Sequence, residues 1–365
     1  MWRKTMFYRP TWAEIDLKAL VENFRFAQKQ VSPKTIIPVI KADAYGHGAK
    51  EVMTALIEEG VTFFAVSLLE EALELREVSS KVDILMLGPI LPKQFELCHK
   101  HSIQFTIYDE HIAKSVFEYK KRLMFHMKVE TGMHRYGLDD LEFVIKWMED
   151  LRKTNHELVG IYSHFATANE QNDLFFNQIK RMEEWIKELP YLPPMIHLSN
   201  SSASLRYEQN LPFTTHARLG ISLYGLSLDQ DQKGLSPVMK LKSKVVEIKT
   251  LKMGETVGYG GTYQATKDNE RIAMLPIGYA DGWIRGNKTG YVEINHALYK
   301  IVGIICMDAC FVKVDQNVSV GDEVILFGGM ITTDQVAKRL KTISYEVICM
   351  VSKRVPRVYT KGGKK

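Results

Sequence analysis

The 365-residue sequence predicts an N-terminal (β/α)8 barrel of the TIM type, followed by a mostly antiparallel β domain. Three observations carry that prediction. Eight apolar, strand-like runs alternate with helix-period stretches over most of the first 234 residues. No Gly-x-Gly-x-x-Gly follows the first run, which disfavours the rival open doubly wound sheet. From about Leu235 the pattern changes to short period-two strands punctuated by glycine turns. The expected domains are therefore residues 1–234 and 235–365.

Trp12 to Leu17 alternates and reads as a strand, expected to join the second domain rather than the barrel. Leu17 to Gln30 then reads as an amphipathic helix. The barrel runs are 35–41, 62–68, 82–87, 103–108, 123–128, 158–165, 194–199 and 216–222. Helical stretches fall between them: Glu51–Glu59, Leu69–Val78, Pro92–His101, His111–Lys120, Leu141–Lys153 and Asn172–Lys187. The link Ser201–Gln209 is short. In the second domain, strands are expected at Met239–Lys249, Tyr291–Ile294, Lys300–Ile305, Cys310–Val314 and Val324–Phe327, with one helix at Thr333–Leu340.

Composition narrows the function classes. Hydrophobic residues make up 45% and charged residues 25%, the balance of a soluble globular protein. No apolar run reaches the roughly 18–20 residues of a membrane span. The first ten residues lack an apolar signal core, so a cytoplasmic location is expected. The four cysteines form no Cys-x-x-Cys pair and read as reduced thiols. Cys306 and Cys310 lack the further ligands of a metal site, so no metal is expected. The net charge of +5 is dispersed except at the tail Lys361–Lys365, which reads as a solvated, frayed end. Nucleic acid is not an expected partner.

Barrel active sites collect at the C-terminal ends of the strands. Lys41 ends the first run and Lys128 the fifth; His164 lies near the end of the sixth; Asn200 and Ser201 follow the seventh; Arg218, Gly220 and Ile221 lie in the eighth. Any one of these could be a strand end emerging into water. Their joint occurrence points to a site. A lysine at the end of a buried strand suits Schiff-base chemistry. The Ser-Asn-Ser-Ser and Arg-Leu-Gly-Ile segments after runs seven and eight suit a phosphate. Together they point to pyridoxal 5′-phosphate (PLP).

The segments Val39–Gly48, Lys128–Arg135, Ser163–Thr167, Gly258–Gly260, Pro276–Trp283 and Cys306–Asp308 resemble the alanine racemases, PLP enzymes whose fold is shared with ornithine and diaminopimelate decarboxylases. The resemblance spans nearly the whole chain. It implies L/D-alanine interconversion by two bases, supplying D-alanine for peptidoglycan. It implies that Lys41 bonds to the cofactor aldehyde and is one base. Tyr259, from a second subunit's β domain, is the other. Tyr45, Ser201, Gly220, Ile221 and Tyr345 would hold the phosphate, with Asn200 beside them. Arg218 would face the pyridine nitrogen, with His164 near the ring. Arg135 would orient the substrate, and Lys128 matches a position that is carbamylated in many members. Met307 would offer its backbone N–H to the substrate carboxylate, and Tyr279 would line the access channel. A head-to-tail homodimer with composite sites follows. The chain departs from the family pattern at Asp43 (commonly Asn), Glu130 (Asp) and His134 (Gly). A serine or broad-spectrum racemase and a non-catalytic PLP-binding protein are the alternatives. A decarboxylase of this fold would carry cysteine where Tyr259 stands.

Overall fold

The computed structural model describes residues 8–227 and 233–361. The first seven residues and most of the basic tail lie outside the described residues. The chain divides into two compact units. One comprises residues 20–44 and 48–235; the other comprises residues 1–19, 45–47 and 236–365.

Strand β1 (Thr11–Asp16) belongs to the second unit. The first unit holds eight parallel strands among its described residues: β2 (Thr35–Pro38), β3 (Phe63–Val66), β4 (Asp83–Met86), β5 (Gln104–Ile107), β6 (Met124–Lys128), β7 (Glu157–Tyr162), β8 (Met195–His197) and β9 (His216–Leu219). The order runs β3 to β9 in sequence and then returns to β2. A parallel bridge between Val39 and Ala65 closes the ring. The TIM-type barrel is therefore present. Its strands read as unbroken apolar runs because both faces are covered, by side chains inside and helices outside.

Helices at Leu17–Val31, Ala49–Glu58, Leu69–Arg76, Phe95–Lys100, Glu110–Ser115, Leu141–Leu151 and Asp173–Glu188 alternate with these strands. Several start at side-chain caps. Asp109, Asp140 and Asn172 each accept a backbone N–H three residues on. The link after β8 is a short helix, Ser201–Arg206, and one further tight turn, Glu208–Asn210.

The second unit is built on a nine-stranded sheet among the described residues. Its later strands are β10 (Met239–Lys244), β11 (Glu247–Leu251), β14 (Glu270–Leu275), β15 (Tyr291–Ile294), β16 (Ala297–Val302), β17 (Cys310–Val314), β18 (Glu323–Phe327) and β19 (Arg357–Thr360). A separate two-stranded ribbon joins β12 (Thr256–Val257) to β13 (Tyr263–Gln264). Pairing is antiparallel except between β1 and β19. The expected single strand Met239–Lys249 is two strands in different parts of the sheet, broken at residues 245–246. Val245 is buried where alternation would put it, so the break leaves no trace in the hydrophobic pattern. The helix Thr333–Leu340 starts at a Thr332–Gln335 capping box, and a second short helix, Ser344–Cys349, follows it.

Candidate active site

Beyond β2 the chain turns left-handed. Ala42, Asp43, Ala44 and Tyr45 have φ of 52–54°. For residues with a Cβ this costs roughly 1–2 kcal/mol each. Such strain persists only where surroundings hold it, and it clusters at functional sites. Here Glu71 accepts the Ala42 N–H at 2.6 Å, and Asp43 Oδ1 accepts the Ala49 N–H at 2.8 Å. Lys41 enters this turn half-buried. His134 also has positive φ, 52°, so a position where the family pattern favours glycine is a backbone requirement.

Arg218 is fully buried at the end of β9. One terminal nitrogen lies 2.6 Å from His197 Nδ1 and donates to the His197 carbonyl at 3.0 Å. The other donates to the carbonyls of Ser163 and Leu198, at 2.6 and 3.0 Å, and lies 3.2 Å from His164 Nδ1. Burial pulls its pKa down to about 10, so it stays a cation at neutral pH. Burial, then Arg218, Arg135, Lys41 and Lys128, hold His164 well below the ordinary imidazole range. The first unit thus gathers Lys41, Lys128, Arg135, His164 and Arg218 at one end of the barrel.

Lys128 ends β6 and is buried. Its Nζ donates to the Tyr136 carbonyl and stands 4.0 Å above the Tyr136 ring. Burial and Arg135 push its pKa down to about 8. Arg135 is exposed and lies 5.3 Å from the same ring. Burial alone would raise the Glu130 pKa. Backbone N–H groups of Gly132, His134 and Met133 hold the carboxylate below its ordinary value instead.

After β8, Asn200 caps the helix by accepting the Ala203 N–H. Ser201 Oγ accepts the N–H of Gly220 at 2.9 Å and of Ser222 at 3.4 Å. Gly220 and Ile221 open the turn that follows β9. The buried hydroxyls of Ser199 and Ser204, in the same segment, have no hydrogen-bond partner among the described residues.

The second unit carries the other expected residues. Tyr45 is buried, with its ring 6.0 Å from that of Tyr345. Tyr259 sits at the tip of the β12–β13 ribbon and is 73% exposed. The Tyr279 N–H donates to the Cys306 carbonyl at 3.0 Å, and the Ala280 N–H to Met307 at 3.1 Å. Backbone contact thus brings Tyr279 beside Met307. A Cβ at Gly278 would lie 2.2 Å from the Cys306 oxygen, so only glycine permits the approach. The side chains of Tyr279 and Met307 are exposed.

Sequence reading passed over His126, His197, Tyr162 and Glu71. The two histidines stand inside apolar strand runs, and that placement was the available signal. An imidazole in a continuous apolar strand must find a polar partner inside the barrel.

Comparison with known proteins fits this geometry. Residues 15–228 match the family described as "Alanine racemase, N-terminal domain", and residues 238–359 match "Alanine racemase, C-terminal domain". The chain is 38% identical to "Alanine racemase 1" of Bacillus subtilis (strain 168), over 98% of this chain and 95% of that one. It is similar to the crystal structure of alanine racemase from Bacillus anthracis with bound L-Ala-P. There the TM-score is 0.91, with 33% identity over 99% of this chain and 97% of that one. It is also similar to alanine racemase from Bartonella henselae with covalently bound pyridoxal phosphate. That TM-score is 0.88, with 28% identity over 96% and 99% of the two chains. A barrel ending in a ring of lysines, arginines and a suppressed histidine, both family matches and full-length relatives agree: this chain belongs to the alanine racemase family.

Proposed function

We propose that this chain interconverts L- and D-alanine with pyridoxal 5′-phosphate, in the cytoplasm, and supplies D-alanine for peptidoglycan. One observation supports this most. Four basic side chains, Arg218, Arg135, Lys41 and Lys128, act together on His164 at the barrel end. A cofactor bearing a phosphate and a phenolic oxygen, with a substrate carboxylate, would balance that charge. The donor set fits the cofactor in a second way. The Gly220 and Ser222 amides converge on Ser201 Oγ, and these groups suit a phosphate.

Lys41 would hold the cofactor aldehyde covalently. Ser201, Gly220, Ile221, Tyr45 and Tyr345 would hold its phosphate, with Asn200 shaping the segment. When bound, the cofactor supplies an electron sink that makes the Cα proton of alanine removable. Lys41 Nζ would take or return that proton on one face. The Tyr259 phenolic oxygen, serving a second subunit's barrel, would do so on the other. Both terminal nitrogens of Arg218 are committed to the barrel, which leaves Nε–H as the donor that would meet the pyridine nitrogen. A guanidinium that stays protonated would keep that nitrogen unprotonated. Arg135 would orient the substrate, Met307 N–H would meet its carboxylate, and Tyr279 would line the access channel. The exposure of Tyr259, Tyr279 and Met307 is consistent with a head-to-tail homodimer.

The test is racemisation of Ala, Ser, Lys and Arg, with borohydride trapping of the cofactor mapped to Lys41. Alanine as best substrate and a Lys41 adduct are expected. Lys41→Ala and Tyr259→Phe should each be inactive, and mixing them should restore activity through one intact composite site. Full activity of Tyr259→Phe in both directions would overturn the two-base assignment.

A further inference from the structure

A chain of hydrogen bonds runs from Arg218 through the barrel interior to the opposite end. His197 Nε2 lies 2.9 Å from His126 Nδ1. His126 Nε2 lies 2.9 Å from Gln104 Oε1, and Gln104 Nε2 donates to Asp83 Oδ1 at 3.0 Å. His126 and His197 are fully buried and Gln104 nearly so. Asp83 opens β4 at the exposed end of the chain.

The two ends determine every proton between them. A guanidinium only donates, so His197 Nδ1, 2.6 Å from Arg218, must accept. A neutral His197 then carries its proton on Nε2 and gives it to His126 Nδ1. That leaves the His126 proton on Nε2, directed at the Gln104 carbonyl oxygen. A carboxylate only accepts, so Asp83 takes the Gln104 amide proton and orients that amide the same way. Both ends demand one direction. Burial comes first among the causes that keep both histidines neutral. Arg218 and His216 act on both rings and His126 acts on His197, and all oppose a second proton.

The barrel makes room for this chain. A Cβ at Gly160 would lie 2.3 Å from His126 Nδ1. The β6–β7 register shifts between Phe125 and His126, beside that glycine. Tyr162 stacks on His197 with ring centroids 4.8 Å apart and planes 6° apart, and its hydroxyl pairs with Thr106 at 2.8 Å.

We propose that Asp83, Gln104, His126 and His197 form a one-directional relay of positioning residues, which fixes both histidines as Nε2–H tautomers and holds the Arg218 guanidinium in its place. Polarisation toward the Asp83 carboxylate makes each successive acceptor stronger, ending at the His197 nitrogen that Arg218 meets. The tautomers depend on this chain alone. The effect on turnover rests on the proposed role of Arg218 at the cofactor ring.

The test is 15N NMR of the full-length holoenzyme with labelled histidine and arginine. His126 and His197 are expected as Nε2–H tautomers that do not titrate between about pH 6 and 9. An Nδ1–H tautomer or a titration at either ring would overturn the relay. Gln104→Leu and His126→Phe each break it. Both are expected to shift the His197 Nδ1 and Arg218 Nη resonances, and to lower kcat by about three- to tenfold with the alanine KM unchanged. Unchanged resonances in a folded variant, or shifted resonances with wild-type kcat, would overturn the positioning role. Arg218→Lys separates the two ideas: wild-type kcat in that variant would overturn the Arg218 reading while the wild-type tautomers still judge the relay.

Discussion

Removing carbon dioxide and bicarbonate from the protein, then returning them, tests whether Lys128 is carbamylated. Burial and Arg135 bring its pKa from 10.5 to about 8. At about pH 7.5 such an amine is neutral roughly a quarter of the time, against about one part in a thousand for an ordinary lysine. Only the neutral amine attacks carbon dioxide, so the reactive population rises about two-hundredfold. The cations that disfavour an ammonium at this position favour the carbamate anion that replaces it. A carbamate hydrogen-bonded to Arg135 would contribute about 1.5–3 kcal/mol, or roughly ten- to a hundredfold in alanine KM. The assay is 13C NMR after adding labelled bicarbonate, alongside racemisation kinetics. A single bound signal, lost in Lys128→Ala together with a raised KM, is expected. No bound signal, or an unchanged KM in Lys128→Ala, would refute the reasoning. A stability measurement without carbon dioxide checks the same physics. The folded pKa lies below the unfolded one, so the unfolded chain binds more protons between about pH 8 and 10.5. Stability should rise across that window by about 3 kcal/mol, and Lys128→Met should flatten the rise.

Glu270 anchors the ribbon that bears Tyr259, accepting from Tyr263 Oη at 2.5 Å, Thr266 Oγ1 at 2.7 Å and Lys313 Nζ at 2.6 Å. Glu270→Ala should lower kcat while cofactor absorbance stays intact; an unchanged kcat would show the ribbon holds without it. The Lys313 partner, with Tyr263 and Thr266, depresses the Glu270 pKa, so its stabilisation is present above about pH 4.5 and fades as pH falls. Acid-unfolding curves of Glu270→Gln should therefore be less steep. Gly160→Ala should destabilise by about 1–3 kcal/mol or more, read as a drop in Tm, because its Cβ would meet His126. Arg218→Glu should lengthen the life of the deprotonated substrate and raise transamination, measured as pyruvate formed per racemisation; an unchanged ratio would count against the proposed role of Arg218.

The barrel was legible because buried parallel strands are written as continuous apolar runs. Phe63–Val66 and Gln104–Ile107 are buried along their whole length. Strand-end polar residues such as Lys41 and Arg218 were visible against those runs, and local glycine motifs marked the ribbon around Tyr259. The left-handed turn at residues 42–45 was not visible. Alanine has no propensity for positive φ, and Glu71, which holds the turn, is 29 residues from Ala42. The place of Lys128 at a strand end was legible, but its lowered acidity was not, because burial and Arg135 set it in the folded barrel. His126 and His197 stand 71 positions apart, and nothing in either neighbourhood names the other. Periodicity reports which face of an element is buried, and so determined the fold class. Proton positions and charge states depend on groups converging from separate strands, and only the closed barrel decided those.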